Sequence, residues 1–408
     1  MNLFAFVRDN AGFLGAGAVL MFTSSYGQTF FISIFAAQIM ADFALSDGGW
    51  GLIYTLATSA SALAMFWAGA LTDRFRVTTL AKFVIPGLAV SCLWMAVNET
   101  VTGLVFAIFV LRLLGQGMTF QLAATAMARW FVRRRGLALS LSSMGFAVAQ
   151  ASLPPIFAAL LLMSTDWRWL WFVAAAMAAL AFPVLSKLLA AERTPQSATE
   201  ASDAAGMEGR HWTRSDVLRS SLFWCLLPML LGPPSWGTAL FFQQVHIAEV
   251  KGWPLTQYLA LIPILTAIGL VVTLVSGQLI DRFGTGRLMQ FFGTPWIIGF
   301  LLLAWSDTLS GALISFAVFG VATGLQATLI TAFWAEFYGT RHIGAIKATS
   351  TSIMVLGSAV GPGVTGVLID LGFSFPDQMI AIAAYFALSA VLVWIAVERT
   401  RARLPASA

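Results

Sequence analysis

The sequence is short of charge, histidine and cysteine. Of its 408 residues only 10% are Asp, Glu, Lys or Arg, while 59% are hydrophobic and the mean hydropathy is +0.84. A water-soluble domain carries about 25% charged residues, so this chain needs an apolar solvent. Two cysteines, Cys92 and Cys225, each inside an apolar run, offer no disulfide framework. The three histidines, His211, His246 and His342, stand far apart. With no metal-spaced His/Cys/Glu set, P-loop or nucleophile elbow, the sequence gives no support to an enzyme, a metal centre or a cofactor.

What is abundant is apolar runs of about 20 residues, the length that crosses a bilayer as a helix. They fall at about 11–41, 49–71, 78–97, 101–128, 136–163, 168–190, 220–247, 255–280, 286–306, 310–335, 343–369 and 377–397. The expected fold is an all-α membrane protein of twelve spans. The first run is too long for a signal-peptide core and is followed at once by another, so it is read as a retained helix. With the N-terminus in the cytoplasm, every Lys and Arg of the 23 falls inside except Arg168 and Lys251, which lie outside, and Arg112, which lies within a span. That is a positive-inside pattern, and it accounts for the net charge of +5 without a nucleic-acid partner. It places both termini in the cytoplasm and the chain in the cell (inner) membrane, and a monomer is expected.

One long polar segment, 191–219, has no apolar periodicity and reads as a cytoplasmic linker between bundles at 1–190 and 220–408. The two halves repeat. Gly69, Asp73, Arg74 and Phe75 recur as Gly277, Asp281, Arg282 and Phe283; Ser25-Tyr26-Gly27 has a counterpart in Ser235-Trp236-Gly237; Gly115 and Gln121 match Gly320 and Gln326. Ordered pairs at nearly constant offset imply a duplicated six-helix unit. Six being even, the copies share one orientation and form a parallel repeat.

Over its whole length the chain resembles the major facilitator superfamily of secondary transporters, whose loop motif G-x-x-x-D-R-x-G-R-R is followed by Gly277-Gln-Leu-Ile-Asp281-Arg282-Phe-Gly284-Thr-Gly-Arg287. The first copy has Arg76 in place of the glycine. Arg129-Trp130-Phe131, Arg134-Arg135-Gly136, Gly145 and Pro154-Pro155 are similar to bacterial members of the monocarboxylate and oxalate/formate type. The resemblance implies alternating access. It also implies that Asp73 and Arg74, near Arg129, form a cytoplasmic latch between the halves, mirrored by Asp281, Arg282 and Arg287 with Glu336. Members of that group hold the substrate carboxylate with buried charges in the eighth, first or eleventh helix. Here the eighth span is uncharged, and Lys347 lies near the cytoplasmic end of the eleventh.

Arg112 is the one ionisable side chain at mid-membrane, about 16 Å in from the outer end of the fourth span. Such a group costs about 2.5–3.5 kcal/mol to insert and asks for a reason. Gln116 and Thr119, at i+4 and i+7, would share its helix face. Arg112 either pairs with a substrate anion or holds neighbouring helices through their backbone groups, and both roles can coexist. Tyr26, Gln28, Gln121, Trp236, Gln243, Gln244 and Gln326 supply neutral hydrogen-bonding groups for a small polar molecule, or serve as interhelical glue. The expected partner is a small organic solute, a carboxylate-type anion, with efflux of apolar drug-like or metabolite compounds as the alternative. Protons are a candidate coupling ion. The motif Gly357-Ser-Ala-Val-Gly361-Pro362-Gly363-Val-Thr-Gly366 resembles an antiporter signature but stands in the eleventh span.

Overall fold

A computed structural model describes residues 3–131, 135–163, 166–188 and 205–404. These residues are helical throughout and contain no strand. Among the described residues ten helices are long and apolar enough to cross a membrane, and a bent pair, Ala11–Gly27 with Thr29–Asp42, makes eleven. Asp47–Arg74, 28 residues long, occupies the place of the second span and completes twelve. The chain divides into two compact units, Met1–Thr199 and Glu200–Ala408.

In the first unit the spans after the broken one are Asp47–Arg74, Val77–Val97, 101–130, Arg135–Met163 and Arg168–Leu188. In the second they are 221–250, 255–283, 285–305, Leu309–Tyr338, Ile343–Asp370 and Phe375–Arg401. Leu52, Leu56 and Leu63 are more than half exposed along one face of the second span. Large apolar side chains stacked along one helix face are what lipid contact requires. Inside the second unit, Trp296, Phe300, Phe319 and Phe386 form a ring cluster with centroids 5.0–6.3 Å apart.

The duplication is visible in local chemistry. Thr100 caps the fourth span by accepting from the Gly103 N–H at 3.0 Å, and Thr308 caps the tenth by accepting from the Gly311 N–H at 3.2 Å. Hydroxyl caps satisfy one of the donors that a helix start leaves open. The loop motif repeats in sequence more closely than in backbone. Gly284 takes φ +75°, a region that glycine occupies without strain, whereas Arg76, which stands in its place in the first copy, is extended at φ −69°, ψ 145°.

Helix breaks cluster at mid-span. The first span narrows to a 3-10 turn at Ser24–Gly27, becomes extended at Gln28 (φ −89°, ψ 151°) and restarts at Thr29, with a 52° bend. The fourth carries a π-helical stretch at Arg112–Thr119, and the seventh one at Pro233–Gly237. Pro233 and Pro234 explain the seventh, since proline removes the helical donor. In the eleventh span Gly361 lies against the Ser235 carbonyl and the Thr365 hydroxyl accepts from Gln243 Nε2 at 3.1 Å, so the glycine-proline motif seats the break in the seventh.

The second unit takes in the end of the polar segment. Residues 207–209 form a 3-10 turn and Arg214–Arg219 a short helix opened by a Thr213/Asp216 capping box. Trp212 docks on the end of the tenth span, its N–H donating to the Tyr338 carbonyl at 3.0 Å.

Candidate substrate site in the first unit

The site is built where two irregular helices touch. Gly27 and Gly115 face each other so closely that a Cβ on Gly115 would stand 2.7 Å from the Gly27 Cα. Only glycine at both positions permits this approach. It brings the break in the first span against the π-helical stretch of the fourth. Irregular backbone at this depth is tolerated where protein or a cavity surrounds it, and π-helical segments recur at functional positions.

Arg112 opens that stretch and is 1% exposed. Its Nη1 donates to the Gly27 carbonyl and to the Thr29 hydroxyl, each at 3.3 Å. The two acceptors lie on opposite sides of the break at Gln28, so one nitrogen bridges the two halves of the first span. Tyr54, from the second span, donates its hydroxyl to Thr29 Oγ1 at 2.7 Å, and its ring lies 5.3 Å from the guanidinium carbon. A cation over an aromatic face gains about 0.5–2 kcal/mol, most when desolvated. Arg112 Nε and Nη2 are buried and have no hydrogen-bond partner among the described residues. A buried donor left open costs roughly 1–3 kcal/mol, more when charged. An Arg side chain stays protonated in proteins and carries five N–H donors, so the site holds a fixed cation with the donors of Nε and Nη2 unused.

Residues 17–362 match the family pattern of the Major Facilitator Superfamily. The chain belongs to the major facilitator superfamily. It is a membrane transporter and not an enzyme. No curated protein matches the sequence significantly. Among solved structures, the chain is similar to a bacterial homologue of the human lysosomal transporter Spinster in an inward-facing, unoccupied conformation. The TM-score is 0.70 at 15% identity, covering 98% of this chain and 99% of that one. It is similar also to the nucleoside transporter NupG, with a TM-score of 0.70 at 13% identity over 94% of this chain and 98% of that one. Likeness at this identity establishes the fold.

Within this superfamily member, Arg112 and Thr119 of the expected polar stripe on the fourth span are buried. Thr119 is buried with its hydroxyl donating to the Leu114 carbonyl five residues back, at 2.6 Å, which is a π-helical spacing. Gln116 is half-buried and Gln121 exposed. What Arg112 meets is across helices: Gly27, Thr29 and Tyr54. Tyr54 escaped the sequence reading, and its signal was a phenol four residues after Trp50 on one helix face. Tyr26 and Gln28 are buried beside the break, Tyr26 with its ring edge-on to Phe31 at 5.3 Å and its hydroxyl without a partner among the described residues.

The second-unit candidates divide by their bonds. Gln243 is committed to Thr365, which makes it glue between the seventh and eleventh spans. Trp236 packs edge-on to Tyr385 at 5.6 Å, and its indole N–H has no partner among the described residues. Gln244 is buried and Gln326 half-buried. Of the latch residues, Asp281, Arg282 and Arg287 are exposed, and Glu336 accepts from the Thr285 N–H at 3.1 Å, capping the ninth span within its own unit. Asp73, Arg74 and Arg129 lie in the last turns of the second and fourth spans, and their side chains lie outside the described residues.

Proposed function

We propose that this transporter moves a small organic carboxylate by alternating access, with Arg112 as the fixed cation that receives it. One observation carries the reading. Nε and Nη2 form the side edge of the guanidinium, two parallel N–H groups spaced to grip both oxygens of a carboxylate. Nη1 on the opposite edge is already committed to the first span. The open edge is therefore the bidentate one. Tyr26, Gln28 and Gln116 supply neutral contacts around the anion in the first unit, and Gln121 is assigned there with them. Trp236, Gln244 and Gln326 are the corresponding groups of the second, with Gln243 holding its helices in place. Asp73, Arg74 and Arg129, with Asp281, Arg282, Arg287 and Glu336, bias the conformational exchange and do not touch substrate. The protein works as a monomer in the inner membrane with both termini cytoplasmic.

A thermal-unfolding screen of the purified protein tests this, because a ligand that binds only the native state raises its stability. Mono- and dicarboxylates should raise the midpoint; nucleosides, sugars and apolar drug-like compounds should not. A shift produced by nucleosides or apolar compounds alone would overturn the carboxylate assignment.

A further inference from the structure

The second unit carries a basic hollow of 340 Å³ at the membrane-surface ends of its seventh and twelfth spans. That is the low end of the volume range of small-molecule sites. Arg210, Arg219 and Arg403 line it, together with the hydroxyl residues Ser220, Ser221 and Thr400. Two acids also line it, and both are occupied. Glu208 faces Arg210 Nε at 3.3 Å through Oε2 and Arg403 Nη1 at 3.7 Å through Oε1. Asp216 Oδ2 accepts from the Thr213 hydroxyl at 2.6 Å and from the Thr213 N–H at 2.9 Å. Those two donors hold the Asp216 carboxyl below the usual range.

The acids therefore act as fasteners for the rim. The Arg210 guanidinium is further fixed 4.2 Å over the Trp212 ring, and the Glu208 N–H donates to the Arg403 carbonyl at 2.8 Å. Arg219 is exposed and makes no ion pair within 4.0 Å among the described residues; the Asp216 carboxylate, three residues before it, acts on it only through space. Directly after it, the 12-residue helix Ser221–Gly232 begins at Ser220 with no side-chain cap, so its first N–H groups open beside the same hollow. Trp224, one turn further on, is 54% exposed with its indole N–H donating to the Leu218 carbonyl. An exposed indole next to a span end marks headgroup depth.

We infer that this hollow binds a phosphate group, with Arg219 as its principal cation and the headgroup of an anionic phospholipid as the occupant; free inorganic phosphate is the alternative source of the same chemistry. The chemical fit is general: arginine forks and helix-start N–H groups are the usual phosphate donors. Anionic lipid at a cytoplasmic surface supplies that group at high local concentration. The inference concerns a surface separate from Arg112.

The test follows thermal unfolding of the purified full-length protein in neutral detergent. Short-chain phosphatidylglycerol, short-chain phosphatidylcholine and inorganic phosphate are titrated separately. Phosphatidylglycerol should raise the midpoint, with phosphatidylcholine much weaker. Arg219→Gln should weaken the phosphatidylglycerol response about fivefold, the worth of one basic contact near the surface, and Arg219→Lys should restore most of it. An equal, Arg219-dependent response to inorganic phosphate would support the site and make the soluble ion its occupant. Equal responses to both lipids, no response to either anion, or an Arg219→Gln response identical to wild type would overturn it. Arg112→Gln should leave the phosphatidylglycerol response unchanged, so failure here is distinguishable from failure of the carboxylate reading.

Discussion

In the proposed reading Arg112 divides its donors between the first span, which Nη1 holds, and a substrate carboxylate, and substitutions can separate the two. Arg112→Gln removes the cation and the fork together. Truncating one member of a buried, hydrogen-bonded charge pair costs about 2–5 kcal/mol, so carboxylate affinity should fall roughly thirtyfold or more by isothermal titration. Arg112→Lys keeps the charge but has no planar fork. It can reach Gly27 or a ligand, and should give intermediate binding with near-normal folding. Retention of full carboxylate affinity in either variant would assign Arg112 to helix packing alone. Tyr54→Phe deletes the bond to Thr29 while keeping the ring, so binding should weaken only a few-fold. The position of Arg112 was legible in the sequence because a charge amid apolar residues stands out. Its surroundings were not: Tyr54, Thr29 and a backbone carbonyl are ordinary residues, and only the fold brings them within 3.3 Å or, for the ring, 5.3 Å.

At the scale of the helix, the first span is two half-helices with a hinge. The sequence showed a single apolar run, because Gln28 is no breaker and Gly27 alone does not announce a 52° bend. The π-helical stretch of the fourth span was equally silent, and the i+4 and i+7 spacing that would have grouped Arg112, Gln116 and Thr119 assumed a regular helix. The glycine contact makes the break depend on packing. Gly115→Ala would push a methyl into the Gly27 backbone, and overpacking of this kind costs about 1–3 kcal/mol. The variant should unfold at lower temperature and lose carboxylate binding in step; a stable, fully binding variant would mean that the approach is not required.

The second half-helix of the first span is tied down at its far end. Arg168, at the start of the sixth span, pairs with Asp42 and donates from Nη2 to the Asn98 carbonyl at 3.1 Å, while the Trp167 indole N–H donates to Asp42 at 2.8 Å. The Asp42 side chain is 39% exposed, so solvent screening leaves this pair worth less than about 1 kcal/mol to global stability. Its effect is local. Arg168→Gln should leave the unfolding midpoint almost unchanged and increase amide hydrogen exchange over residues 36–42; equal protection in both proteins would show that the strut holds nothing.

At the scale of the molecule, the duplication was the most legible feature, and the two copies have diverged where chemistry is concerned. At the offset that relates Gly115 to Gly320, the counterpart of Arg112 is Ala317, so the second unit has no cation to match the first. The division of the polar segment was less legible, since its last residues fold onto the second unit through Trp212, a single aromatic in a polar run. An asymmetric site with one fixed cation and no carboxylate or histidine at mid-membrane in the sequence has a consequence for energetics. Proton coupling needs a group that changes charge within the membrane, and Arg112 does not titrate. We propose that the proton travels on the substrate, or that the protein works by exchange or facilitated diffusion. In proteoliposomes with an alkaline interior, a weak carboxylic acid should accumulate, whereas a permanently charged sulfonate analogue that binds the same site should only equilibrate. Arg112→Gln should abolish uptake of both without changing reconstitution. Uphill accumulation of the sulfonate on a pH gradient alone would require a titrating protein group, and would sink the substrate-borne proton.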